Sequence, residues 1–175
     1  DPTRFRNRFR VASARRRGWD YGLPGWYFVT ICTAGRVHHF GDILGGKVRL
    51  SPLGNIVRQC WREIPRHFTY ASLDAFVVMP NHVHGIVIIN EPRPVETLHC
   101  NVSTQRDQSP MSAISPRPGS LPSIIRTHKN VTAKIMRHRF PNQPFAWQPR
   151  YHDRIIRDGD ELNAVQRYIK NNPVE

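Results

Sequence analysis

The chain has 175 residues, 26 of them Lys or Arg and 13 Asp or Glu, which gives a net charge of +13 and an isoelectric point near 10.8. With 39% hydrophobic residues it can bury a core, so the charge describes a folded protein whose partner is a polyanion. No apolar run approaches the roughly 20 residues that span a bilayer, and no signal-peptide pattern is present. Cys32, Cys60 and Cys100 lie far apart without a CxxC pair, which excludes a disulfide framework and a thiolate zinc site. These features point to the cytoplasm, beside the nucleoid, with no membrane partner.

Residues 1–20 read as a basic arm. Its first 17 residues hold seven arginines (Arg4, Arg6, Arg8, Arg10, Arg15, Arg16, Arg17) against one aspartate, with Phe5 and Phe9 interleaved. Guanidinium forks suit phosphate and the rings suit stacked bases, so the arm is a candidate DNA contact. Residues 26–33 (WYFVTICT) are β-branched and aromatic, which predicts a strand. Residues 38–44 and 47–50, joined by Gly45-Gly46, predict a hairpin. Ser51-Pro52 opens a helix whose apolar stripe is Leu53, Ile56, Val57, Cys60, Trp61 and Ile64, ending at Pro65. Residues 74–79 and 82–90 are short apolar runs around Pro80-Asn81, expected as buried strands. Residues 91–120 carry five prolines with Ser, Gln and Thr and little apolar periodicity, which predicts a flexible insertion. A second helix follows Ser120, with Leu121, Ile124, Ile125, His128, Thr132, Ile135 and Met136 on one face and Arg126, Lys129, Asn130 and Arg137 on the other. Residues 145–147 and 151–157 suggest a last strand. Asp158 with Glu161 is a capping-box pattern for a final helix that stops before Pro173.

Strand, helix, strand, strand, helix, strand is the split βαβ order. It predicts an α+β, ferredoxin-like antiparallel sheet with helices on one face, formed by residues 21–175 as a single domain.

Two stretches can carry chemistry. In MPNHVHG (79–85), His82 and His84 are two apart and share one face of a strand, while Val83 and Gly85 face the other. Two imidazoles side by side are half of a metal site, and on an apolar strand their desolvation needs compensation. Nine histidines make chance HxH pairs common, so the pair alone is a weak signal. In RYIKNNP (167–173), Tyr168 and Asn172 are four apart on one helical face. The asparagine offers a hard oxygen that complements two imidazoles around Mg²⁺ or Mn²⁺. The tyrosine offers a phenol, a poor nucleophile at its ordinary pKa of about 10 unless its proton is drawn off. Tyr151, beside His152 and Asp153, is the rival nucleophile.

Together with YFVTICT (27–33), the helix over 121–134 and the Trp147-Gln148 and 151–157 segments, these motifs make the chain resemble the REP-associated tyrosine transposases, single-tyrosine members of the HUH group. The resemblance spans nearly everything except the arm and the insertion. It implies the HUH endonuclease fold, with His82, His84 and Asn172 as ligands of a divalent cation and Tyr168 as nucleophile. The implied activity is cleavage and transfer of single-stranded DNA at REP-like hairpins through a 5′-phosphotyrosine. The alternative is a domesticated relative that binds hairpin DNA without cutting it. One nucleophile per site permits one cleavage, so complete transfer takes a homodimer or repeated turnover. Arg126, Lys129 and Arg137, with Arg150 and Arg154, are further candidates to track the DNA backbone.

Overall fold

The computed structural model describes residues 4–5, 8–9, 18–91 and 118–172. Most of the basic arm and of the insertion therefore lies outside the described residues. Of the arm, the two short antiparallel strands β1 (Arg4–Phe5) and β2 (Arg8–Phe9) are described.

The main sheet grows around β3 (Gly25–Cys32). Strand alternation splits this segment cleanly: Tyr27, Val29 and Ile31 are fully buried in the larger core, whereas Phe28 joins a second, smaller cluster. β6 (Ala71–Met79), β7 (His82–Ile89) and β8 (His152–Ile156) complete the sheet in the order β6-β7-β3-β8, with every pair antiparallel. This is the ferredoxin-like order that the element sequence predicts.

Two helices cover one face. α1 (Pro52–Arg62) is capped by Ser51, whose Oγ accepts from the Gly54 amide at 3.1 Å and donates to the His39 carbonyl at 2.7 Å. It buries Leu53, Ile56, Val57, Cys60 and Trp61, each contributing roughly 1–3 kcal/mol of apolar transfer. Pro65 begins a further turn, α2 (Ile64–His67), because proline fits the first helical positions as well as it ends a helix. α3 (Leu121–Arg139) buries Leu121, Ile124, Ile125, His128, Thr132 and Met136 and packs on α1. The last helix, α4 (Gly159–Asn171), lies across the sheet's other face, where Val165 and Ile169 meet Ile86 and Ile156.

The helices therefore do not all share the one face that the element order predicts, because the apolar stripe of α4 meets the second cluster, and two further expectations shift in detail. The hairpin is β4 (Gly41–Leu44) and β5 (Lys47–Leu50), around Gly45 and Gly46 at φ 57° and 70°. Residues 38–40 stay outside it because Phe40 turns into the core and its main chain bonds Pro80 and Ser51 instead. Residues 145–147 form a single bridge, Trp147 to Thr33, in place of a strand. No helix among the described residues is long and apolar enough to cross a membrane.

Candidate active site

On the α4 face of the sheet, β7 presents His82, His84, Ile86 and Ile88, and its alternate residues Val83, Val87 and Ile89 enter the larger core. The two imidazoles lie with centroids 4.4 Å apart and planes inclined by 71°. His84 is almost buried and stacks on Phe28 with centroids 5.4 Å apart. Its Nδ1 sits 2.8 Å from the hydroxyl of Thr30, its partner in register on β3. Burial, and then the neighbouring His82, lower the His84 pKa to about 4, so the ring is neutral at physiological pH and keeps a lone pair. His82 is half-buried, with Nδ1 2.6 Å from Asn81 Oδ1; burial, then Arg36 and His38, push its pKa down as well.

α4 brings the phenol to this pair. Its start is fixed by a reciprocal cap: Asp158 Oδ1 accepts from the Glu161 amide at 2.8 Å, and Glu161 Oε2 accepts from the Arg157 amide at 3.0 Å. Its buried edge is pinned by Val165 and Ile169, and by Gln166 Nε2 donating to Asp74 Oδ2 of β6 at 2.6 Å. One turn on, Tyr168 is 45% exposed, meets Phe28 edge-on, and places its hydroxyl 3.3 Å from His84 Nε2, across 84 residues of sequence. Asn172 caps the helix, half-buried, with its Nδ2 enclosed and without a hydrogen-bond partner.

Among the described residues no three His, Cys, Asp or Glu side chains gather into a metal-binding group. The two imidazoles are a neutral donor pair lying side by side, which suits a borderline cation completed by oxygen ligands.

The other candidates fall in different places. Tyr151 packs against the larger core, on the far side of the sheet from the histidines. Arg126 and Arg137 are exposed on α3, also across the sheet from the pair, and Lys129 donates its Nζ to the carbonyls of Gln148 (2.6 Å) and Arg150 (2.9 Å). Arg150 is exposed in the loop before β8, at φ 67°. Arg154, on the histidine face, pairs with Glu161 at 2.5 Å beside a groove of about 890 Å³ that Phe28, Arg157, Ala164 and Tyr168 also line. The side chains of Arg4, Arg6, Arg8, Arg10, Arg15, Arg16 and Arg17 lie outside the described residues.

Sequence reasoning did not single out Asn81, Thr30 or Phe28 as contacts of the imidazoles. Thr30 and Phe28 become neighbours of His84 only through strand register. Register also sets exposed His152 opposite Thr30.

No family model matches the chain. It is 36% identical over 165 residues to a protein of Haemophilus influenzae (strain KW20 / Rd) named only as uncharacterized, a match covering 93% of this chain and 87% of that one. Its structure is similar to that of a REP-associated tyrosine transposase bound to a REP hairpin, with a TM-score of 0.54 and 18% identity over 94% of this chain and 73% of the other. At that identity the likeness is one of fold.

Proposed function

We propose, from the premise that this chain belongs to one family with the uncharacterized Haemophilus influenzae protein and carries the fold of the hairpin-bound transposase, that it is a metal-dependent single-strand DNA endonuclease and strand transferase acting at REP-like hairpins. The observation that carries this reading is the approach of the Tyr168 hydroxyl to His84 Nε2, beside a second imidazole on the same strand face.

His82, His84 and Asn172 would hold Mg²⁺ or Mn²⁺, and a cation there supplies Lewis-acid polarisation of the scissile phosphate. The chain's own residues do the rest. Phe28 and the turn of α4 around Tyr168 restrict where the phenol can point. The phenol oxygen forms the new bond to phosphorus, the P–O3′ bond breaks, and the departing 3′ oxygen takes up a proton. A 5′-phosphotyrosine and a free 3′-hydroxyl remain. His84 Nε2 cannot both ligate a cation and accept the phenol proton, so that proton passes to phosphate or solvent. The phosphotyrosine keeps the energy of the phosphodiester, so a 3′-hydroxyl can reverse the step without ATP.

The arginines around Tyr168, with those of the arm, supply affinity for the strand. The test is an oligonucleotide carrying a REP-like hairpin, incubated with Mn²⁺ and resolved under denaturing conditions. The expected result is a covalent protein–DNA adduct that Tyr168→Phe abolishes while hairpin binding persists. Cutting that survives Tyr168→Phe would reject the nucleophile. Hairpin binding without adduct or cutting in the unaltered protein would favour a binding-only protein.

A further inference from the structure

The geometry points to Asn81 as the positioning residue that fixes the tautomer of His82 and aims its Nε2 lone pair into the site. This inference builds on the metal reading above, but its first measurement is made without metal.

The amide of Asn81 is held by two contacts of opposite sense. Its Nδ2 donates to the Arg36 carbonyl at 3.2 Å, and its Oδ1 faces His82 Nδ1 at 2.6 Å. The carbonyl of Arg36 can only accept, so the NH₂ group must lie on that side and the oxygen must face the ring. An oxygen that can only accept requires a proton on His82 Nδ1. The remaining nitrogen, Nε2, then carries the lone pair that a cation needs.

The surroundings keep this arrangement in place. The Asn81 carbonyl accepts from the Thr33 amide at 2.9 Å, and the Pro80 carbonyl from the Phe40 amide at 2.8 Å, so the turn before β7 is tied to the segment after β3. Arg36 itself sits at φ 55° beside Gly35 at φ 62°, a left-handed pair that is unfavourable for a residue with a side chain. That conformation directs the Arg36 carbonyl at Asn81. The chain of control therefore runs from a strained turn, through one amide, to one imidazole nitrogen.

The experiment uses the full chain with ¹⁵N-labelled histidine. Long-range ¹H–¹⁵N correlation of the metal-free protein at pH 7.5 reads the tautomer, and calorimetric titration with Mn²⁺ alone reads affinity. In the unaltered protein His82 should be the Nδ1–H tautomer. In Asn81→Ala it should revert to the Nε2–H tautomer common for free imidazole, with Mn²⁺ affinity reduced about 10–100-fold. Asn81→Asp keeps an acceptor oxygen for His82 Nδ1 but gives up the donation to the Arg36 carbonyl, so it should restore the tautomer in part; a general folding defect would not be rescued this way. An Nε2–H His82 in the unaltered protein, or an Asn81→Ala variant with tautomer and affinity unchanged, overturns the inference. Absence of Mn²⁺ binding by the unaltered protein would instead overturn the metal reading, and the tautomer measurement would still decide the role of Asn81.

Discussion

Gly85, directly after the histidine pair, faces the larger core and has no room for a side chain. A methyl group there would overlap Trp61 Cζ2, lie 2.9 Å from Trp61 Cε2, and lie 3.0 Å from Phe76 Cβ, against ordinary contacts of 3.4 Å or more. Trp61 cannot retreat easily: it is fully buried, with the Phe76 ring centroid at 6.1 Å and His128 edge-on at 5.3 Å. Overpacking of this kind costs about 1–3 kcal/mol, and a fully enclosed indole puts this site at the upper end. Replacing glycine also restricts the unfolded chain, which offsets about 0.4–1 kcal/mol. The net expectation for Gly85→Ala is a loss of about 2 kcal/mol, or about 4–8 °C in Tm for a chain of this size. Urea and thermal unfolding followed by circular dichroism measure it. In a Trp61→Phe background the smaller ring leaves space, so the same glycine change should cost about 1 kcal/mol less. An unchanged Tm for Gly85→Ala, or equal costs in the two backgrounds, would refute the steric argument.

His128 is enclosed among Trp61, Trp147 and the helices, and neither ring nitrogen has a partner in hydrogen-bond geometry. Burial lowers its pKa to about 4, with the Cys60 main chain opposing this and the Lys129 charge adding to it. The ordinary value of about 6.5 holds when the chain is unfolded, so below pH 6.5 the unfolded state takes up a proton that the folded state refuses until about pH 4. Stability is full above that window and falls within it; the loss from this residue between pH 7 and pH 5 is about 2 kcal/mol. His128→Leu should remove that increment and add roughly 1 kcal/mol at pH 7 by eliminating unpaired buried polar atoms. Urea midpoints at the two pH values check this, and equal acid sensitivity of the two proteins would sink it. Deleting residues 1–17 removes seven arginines, which should flatten the log–log salt dependence of binding single-stranded DNA by up to about 5 units if all contact phosphate. An unchanged slope, measured by fluorescence anisotropy, would exclude the arm from the interface.

The sequence was most legible where one local period decides the geometry. The two-residue spacing of His82 and His84 places them on one strand face, and alternation along β3 and β7 separates the core residues from theirs. The spacings in α1 and α3 mark their buried stripes for the same reason. What stayed hidden depends on register and packing between distant segments. The contact of Thr30 with His84 exists because β3 pairs with β7 at that offset. The need for glycine at position 85 exists only once Trp61 is laid over it. His128 reads as one more member of an apolar stripe, and nothing local says that its nitrogens find no partner. Arg36 carries no sequence mark of its left-handed backbone, so the route from Arg36 through Asn81 to His82 was invisible. Tyr151 and Tyr168 compete on local chemistry alone, whereas the fold sends one to the large core and the other to the histidines.

The two-sided character of β3 and β7 has an evolutionary consequence. Along each strand, neighbouring positions meet different surroundings: Val29, Ile31, Val83 and Val87 fill the larger core, and Phe28, Thr30, His82 and His84 lie on the face that α4 covers. If the α4 face carries the proposed chemistry, a lineage could lose it one alternate residue at a time and keep a sound scaffold for some other employment. Such a descendant would betray its past by an intact inward pattern beneath an eroded outward one.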